Sequence, residues 1–183
     1  MTAVDRYAAL RSLPHALTET VARAPNVTAL SAKRDGDWRS WTYRALQDEA
    51  WRFAARLRAS GVAPGDRVLL AAENRPEWAI ADAAIMAAGA ITVPAYATNT
   101  ADDHRHVLND SGASAAVIST PALAKRFQPA FDDADACKTL FTMDPAAGAE
   151  TMADANAAGG DADIDATVAG LTRGDMACII YTS

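Results

Sequence analysis

Cysteine is scarce: 183 residues hold only Cys137 and Cys178. They form no Cys-x-x-Cys pair and have no neighbouring histidine, which argues against a disulfide framework or a cysteine metal site; two buried thiols are expected. Excess positive charge is absent as well. The net charge of −6 excludes a nucleic-acid surface built on overall charge, but not a nucleotide held by local N–H groups and one or two cations. The start, Met1 to Arg6, lacks the apolar stretch of a signal peptide. No apolar run is long and unbroken enough to span a membrane. Ala79 to Ala97 comes nearest, but Asp82, Gly89 and Pro94 interrupt it, and its residues change midway from helix formers to β-branched types. That pattern predicts a buried helix followed by a buried strand. Aromatic residues make up only 7%, yet half the chain is hydrophobic, enough for a real core. A cytoplasmic protein is expected.

The pattern along the chain is that of an α/β fold. A helix is predicted from Tyr7 to Arg23, starting or kinking at Pro14. Thr28–Ala32 and Trp38–Thr42 flank a Gly-centred turn, as in a β-hairpin. Leu46, Ala50, Phe53, Ala54 and Leu57 line one helical face, with Thr42 as N-cap and Gly61 past the C-terminus. Trp51 lies off that stripe and should meet a neighbouring element.

Strands then alternate with helices. Strands are predicted at Val68–Ala72, Ile91–Val93, Ala115–Ile118 and Lys138–Phe141, and helices at Pro76–Met86, Ala101–Asn109 and Pro121–Phe127. Such alternation with short links implies a parallel sheet covered by helices. Residues 1–142 therefore read as one α/β subdomain with an N-terminal hairpin. Residues 143–174 are rich in Ala, Gly and Asp and read as a long mobile loop. Residues 175–183 resume as a strand that leads into Thr182 and Ser183.

Hydroxyl residues leaving the carboxyl end of a parallel strand sit where α/β sheets bind ligands, and they can donate to phosphate oxygens. A strand that merely ends in polar residues explains the same three positions. Other candidates have plain structural readings. His104 and His106 are two apart on a helix, face different ways and read as solvated. Asp102-Asp103 and Asp132-Asp133 read as helix-end or loop charges. Trp38, Trp41, Trp51 and Trp78 read as packing residues, and Arg75 as a surface or helix-start residue.

Several segments, in order from about Thr28, resemble the adenylate-forming acyl-CoA synthetases. Trp41-Thr42-Tyr43-Arg44-Ala45-Leu46 is similar to that family's first core motif, with Ala45 where the family usually has Glu, so a capping contact to Thr42 is lost. Gly61-Val62-Ala63-Pro64-Gly65-Asp66-Arg67-Val68 resembles its Gly-Asp turn, Asn74-Arg75-Pro76-Glu77-Trp78 the helix start that follows, and Ala87 to Pro94 the second core motif. Asn109 to Ala113 resembles the next link, and Ile180-Tyr181-Thr182-Ser183 the opening of the Tyr-Thr-Ser-Gly-Thr-Thr-Gly phosphate loop. Pro94-Ala95-Tyr96-Ala97-Thr98-Asn99-Thr100 is closer to the long-chain fatty-acid branch.

The resemblance implies an AMP-forming ligase that uses ATP, Mg²⁺ and coenzyme A, with fatty acid as acyl substrate. Thr182 and Ser183 would contact ATP phosphates; no catalytic residue and no metal ligand is expected before Tyr181. The chain is expected to be an N-terminal fragment, inactive alone, prone to self-association, and drawn from a cytoplasmic protein with room for peripheral membrane contact. Two alternatives stay open. One is another adenylate-forming enzyme, an aryl- or coumarate-type ligase or a peptide-synthetase adenylation domain. The other is a non-catalytic α/β module that binds a nucleotide or a protein partner.

Overall fold

Ser12 starts the first long helix. A computed structural model describes Asp5 and residues 8–182; helix α1 runs Leu13–Arg23, and the Ser12 side chain accepts from the His15 amide at 3.2 Å. Pro14 sits in the first turn, where its missing N–H has no intrahelical partner to lose. Of the longer helix predicted from Tyr7, Tyr7 lies outside the described residues, and the helical residues Ala8 and Ala9 are separated from α1 by Leu10, Arg11 and Ser12.

Strands β1 (Thr28–Arg34) and β2 (Asp37–Thr42) pair antiparallel. Their turn puts Asp35 and Gly36 at φ 51° and 94°, the left-handed pair that matches hairpin twist. Helix α2 (Tyr43–Ala59) starts at Thr42, which accepts from the Ala45 amide, and buries the expected stripe. Gly61 (φ 99°) ends it: Val62 donates to the Leu57 carbonyl and Gly61 to that of Arg58, both at 3.1 Å, which caps two orphan carbonyls.

The sheet follows. Its elements are β3 (Arg67–Ala71), α3 (Pro76–Ala87), β4 (Ile91–Ala95), α4 (Ala101–Ser111), β5 (Ala115–Ile118), α5 (Pro121–Asp132), β6 (Thr139–Thr142) and β7 (Glu150–Thr151). The strands are all parallel, in the order β4-β3-β5-β6-β7. β5 is buried on both faces, as its unbroken apolar run requires. One face packs against α2 and α3, where Phe53 meets Phe141 edge-on at 5.2 Å. The other packs against α4 and α5 through Leu108, Leu123 and Phe127. Ala79–Ala97 thus forms a helix and a strand, and no described helix is long and apolar enough to cross a membrane.

Several expectations are corrected. Helix α5 does not end at Phe127 but continues through Pro129 to Asp132. Proline removes one hydrogen bond there, and burial of Phe127 and Ala130 with packing of Phe131 outweighs it.

The stretch after Met143 is no open loop: it holds β7, α6 (Met152–Ala158) and α7 (Ile164–Gly170). Thr151 and Asp163 cap the two helices, and Met152, Ala155, Ile164 and Val168 are buried. Arg56 binds Glu150 with two hydrogen bonds, at 2.9 and 2.7 Å, and Trp51 donates to Asp165 at 2.9 Å, so Trp51 does meet a neighbouring element. Small residues, read as unable to bury surface, let the backbone lie close to α2.

The third correction concerns the predicted strand at Asp175–Tyr181. Among the described residues it makes a single parallel bridge, Cys178 with Thr92 of β4. With a neighbour on one side only, it is not buried: Met176 and Ile180 are exposed. Cys178 is exposed too, contrary to the expected pair of buried thiols, whereas Cys137 is buried and burial pushes its thiol up to about 12.

Candidate functional site

The motifs that carry the family resemblance divide by position. The Gly61–Val68, Ala87–Pro94 and Asn109–Ala113 segments meet at the amino ends of the strands, where they hold one another. Gly65 donates to Gly89 O at 2.8 Å, Ile91 to Asp66 O at 2.7 Å and Ser114 to Arg67 O at 2.9 Å. Asp66 accepts from the Ala63 amide, and the Arg67 guanidinium donates to the carbonyls of Ser111 and Gly112. These bonds tie the turns to one another, so these motifs build the frame of the sheet. A cavity of about 740 Å³ at this end, between Arg11, Pro64, Gly89, Thr167, Leu171 and Met176, is mostly apolar.

At the carboxyl ends the chain leaves β3 toward α3 on one face and β5 toward α5 on the other. That reversal is the place where open α/β sheets bind ligands. Arg75, which starts α3, spans it: its guanidinium donates to both Asp144 oxygens, at 2.9 and 2.8 Å, and to Glu77 at 2.8 Å. Arg34 joins through Glu77. The bonds from Arg75 hold the Asp144 carboxyl below its usual value. Burial pushes the Glu77 carboxyl up, but bonds from Arg75 and the charges of Arg75 and Arg34 bring it below normal. Arg75 is thus a helix-start residue committed to two carboxylates.

Thr182 is exposed at the end of the segment beside β4, where a hydroxyl can donate one hydrogen bond; Ser183 lies outside the described residues. The preceding Tyr181 is fixed. Its hydroxyl donates to Asp110 at 2.6 Å and its ring stands edge-on to His106, with centroids 6.0 Å apart. Burial and the Asp110 carboxylate push the tyrosine hydroxyl up to about 12. Asp110 was legible only as part of a link motif. Seventy-one residues separate it from Tyr181, and no local spacing signals the contact.

The histidines part ways. His106 is exposed, but His104 is fully buried against Phe127 with neither ring nitrogen partnered, a correction to the solvated reading. It faces the α4–α5 interface, where its aromatic body substitutes for an apolar side chain. Asp103 completes a capping box with Thr100, and Asp133 accepts from Arg105 at 2.9 Å, so both acidic pairs are helix-end charges. Trp41 donates to Glu49, and Trp78 packs on the core; Trp38, 71% exposed on the hairpin, does not pack. No group of three His, Cys, Asp or Glu among the described residues could hold a metal ion.

The parallel sheet flanked by helices and the N-terminal hairpin match the fold of the N-terminal part of the adenylate-forming enzymes. Residues 17–183 match the family model for AMP-binding enzymes, and the chain belongs to that family. The long-chain-fatty-acid–CoA ligase FadD15 of Mycobacterium tuberculosis is 34% identical over 154 residues, 81% of this chain and 25% of that protein. The phosphinothricin tripeptide synthetase PhsB of Streptomyces viridochromogenes is 32% identical over 172 residues, 94% of this chain and 13% of that protein. A benzoate CoA ligase from Burkholderia xenovorans superposes with a TM-score of 0.72 at 28% identity, covering 84% of this chain and 30% of the other. The chain therefore spans a quarter or less of the length of these two curated relatives.

Proposed function

We propose that this chain is the N-terminal part of an AMP-forming long-chain fatty-acid–CoA ligase. The observation that carries the reading is the 34% identity to a long-chain-fatty-acid–CoA ligase across 81% of the chain. In that reaction a fatty-acid carboxylate attacks the α-phosphate of ATP to give an acyl-adenylate and pyrophosphate, and the coenzyme A thiol then displaces AMP. Thr182 and Ser183 contribute hydroxyl donors to ATP phosphate oxygens, where charge shifts as the bond to pyrophosphate breaks. Mg²⁺ bound with ATP would supply further charge stabilisation to those phosphates. The enzyme works in the cytoplasm with peripheral contact to membranes, where its acyl substrates partition.

A second reading, an aryl-CoA ligase or a peptide-synthetase adenylation domain, is supported by the 32% identity to a tripeptide synthetase and the likeness to a benzoate ligase. ATP–pyrophosphate exchange by the full-length gene product, with palmitate, benzoate and amino acids offered in turn, separates the two. Palmitate-dependent exchange is expected. Exchange with benzoate or an amino acid alone overturns the long-chain reading, and exchange with no acid favours a non-catalytic binding module. The 183-residue chain alone, which spans a quarter or less of these two curated relatives, is expected to give none.

A further inference from the structure

The segment that presents Thr182 is anchored in two stages. Its backbone is tied to β4: Thr92 donates to the Ala177 carbonyl at 3.0 Å, and Ile179 donates to the Thr92 carbonyl at 2.9 Å. The bridge ends there. Ile179 and Tyr181, two residues apart, pack onto the core beneath α4. Beyond Ile179 the anchor is the Tyr181 side chain, through its 2.6 Å bond to Asp110 and its edge-on contact with His106.

The position of Asp110 argues that this bond has a purpose beyond helix stability. Asp110 lies in the last turn of α4, a helix with no basic residue there. The helix dipole disfavours a carboxylate at its C-terminus, so α4 loses by having an acid at this place. What the acid supplies is a charge-assisted acceptor for the Tyr181 hydroxyl, short enough to fix the ring and with it the backbone that leads to the next residue. Thr182 follows directly, and its exposed hydroxyl inherits a defined position instead of sweeping through solvent.

We infer that Asp110, acting through Tyr181 with His106 against the ring, is the positioning residue for the phosphate contact at Thr182. The inference rests on the reading of Thr182 as an ATP phosphate contact. Preorganising a donor removes part of the ordering cost of binding, so the effect belongs to ATP and not to the other two substrates.

The test is kinetic, on the full-length gene product. Asp110→Ala and Tyr181→Phe are each expected to raise the KM for ATP roughly three- to tenfold, the range of one lost hydrogen bond, and to leave the KM for coenzyme A unchanged. Asp110→Asn keeps an acceptor oxygen but loses the charge assistance, so its KM for ATP should lie between those of the wild type and Asp110→Ala. The double variant should be no worse than either single one, because both remove the same bond. An unchanged KM for ATP in both single variants, or additive effects in the double, overturns the inference. If no acid supports exchange, the ATP reading fails separately. The positioning itself is then read in the 183-residue chain by NMR. Loss of the Asp110–Tyr181 bond should move the Thr182 amide resonance toward its random-coil position, and an unmoved resonance overturns the inference.

Discussion

Arg75 grips Asp144 through two parallel hydrogen bonds, Nη1 to Oδ2 at 2.9 Å and Nη2 to Oδ1 at 2.8 Å, and so ties the carboxyl end of β3 to that of β6 across β5. Asp144→Ala takes the carboxylate from Nη1 and Nη2 of a guanidinium that is only 13% exposed, leaving Glu77 on Nε, and should cost about 1–3 kcal/mol. Asp144 and Glu77 both titrate below their unfolded values. Their contribution is therefore complete above the ordinary carboxylate range of about 4 and is lost as the pH falls through the lower folded values. Urea unfolding of wild type and Asp144→Ala between pH 2.5 and 6 should give curves that converge only below that range; a constant gap would contradict the linkage.

Gly160 leaves no room for a side chain. A Cβ built there would stand 2.3 Å from the Ala55 carbonyl oxygen of α2, and backbone cannot give way as a flexible side chain would. Gly160→Ala should destabilise by about 1–3 kcal/mol and lower the Tm by several degrees. Gly170, the last residue of α7, has open space around it, so Gly170→Ala should be neutral or stabilising by up to about 1 kcal/mol. Equal effects at the two sites in thermal melts would show that α6 and α7 are not held against α2.

His104 is buried with both nitrogens unpartnered, so either neutral tautomer leaves one donor and one acceptor unsatisfied. Burial pushes its pKa down, the Arg126 charge on α5 adds to that, and Asp103 opposes both. The folded protein therefore resists protonation more than the unfolded chain. Stability is retained above about pH 6.5 and declines as the pH falls below it. His104→Leu should remove that part of the decline and raise the Tm at pH 5.5 relative to wild type. Parallel pH slopes in the two proteins between pH 5 and 7 would count against the account.

The residues from Ala177 to Ile179 pair with β4 on one side, while the amide and carbonyl of Cys178 point away from it. With Ile180 66% exposed beside this free edge, the 183-residue chain should self-associate by edge pairing. Sedimentation velocity should show a concentration-dependent shift above the monomer, and Ile180→Lys should reduce it. A clean monomer at high concentration would rule the edge out as a self-association surface.

The sheet was legible because buried parallel strands need continuous apolar runs, and Val68–Ala71 and Ala115–Ile118 supply them between well-marked helix caps. Thr42, Gly61, Thr100 and Gly112 act through neighbours a few residues away, so local sequence suffices to place them. Residues 143–174 were misread because their structure depends on what lies opposite. Trp51, Arg56 and the bare backbone of Gly160 against Ala55 order a stretch too poor in large apolar residues to order itself. The helix predicted to end at Phe127 runs on through Pro129 for the same reason, the local cost of the proline being outweighed by distant packing.

The candidate site divides on the same line. Sequence alone determined the alternation of elements, their caps and the family motifs, since each rests on periodicity or on contacts within a few residues. Only the tertiary structure decided that Arg75 is spent on Asp144, that His104 is buried, that the final segment runs along a free sheet edge, and that Tyr181 hangs from Asp110. Each of these joins groups dozens of residues apart, and such a bond is set by where folding brings the chain, leaving no mark in the local pattern of residues.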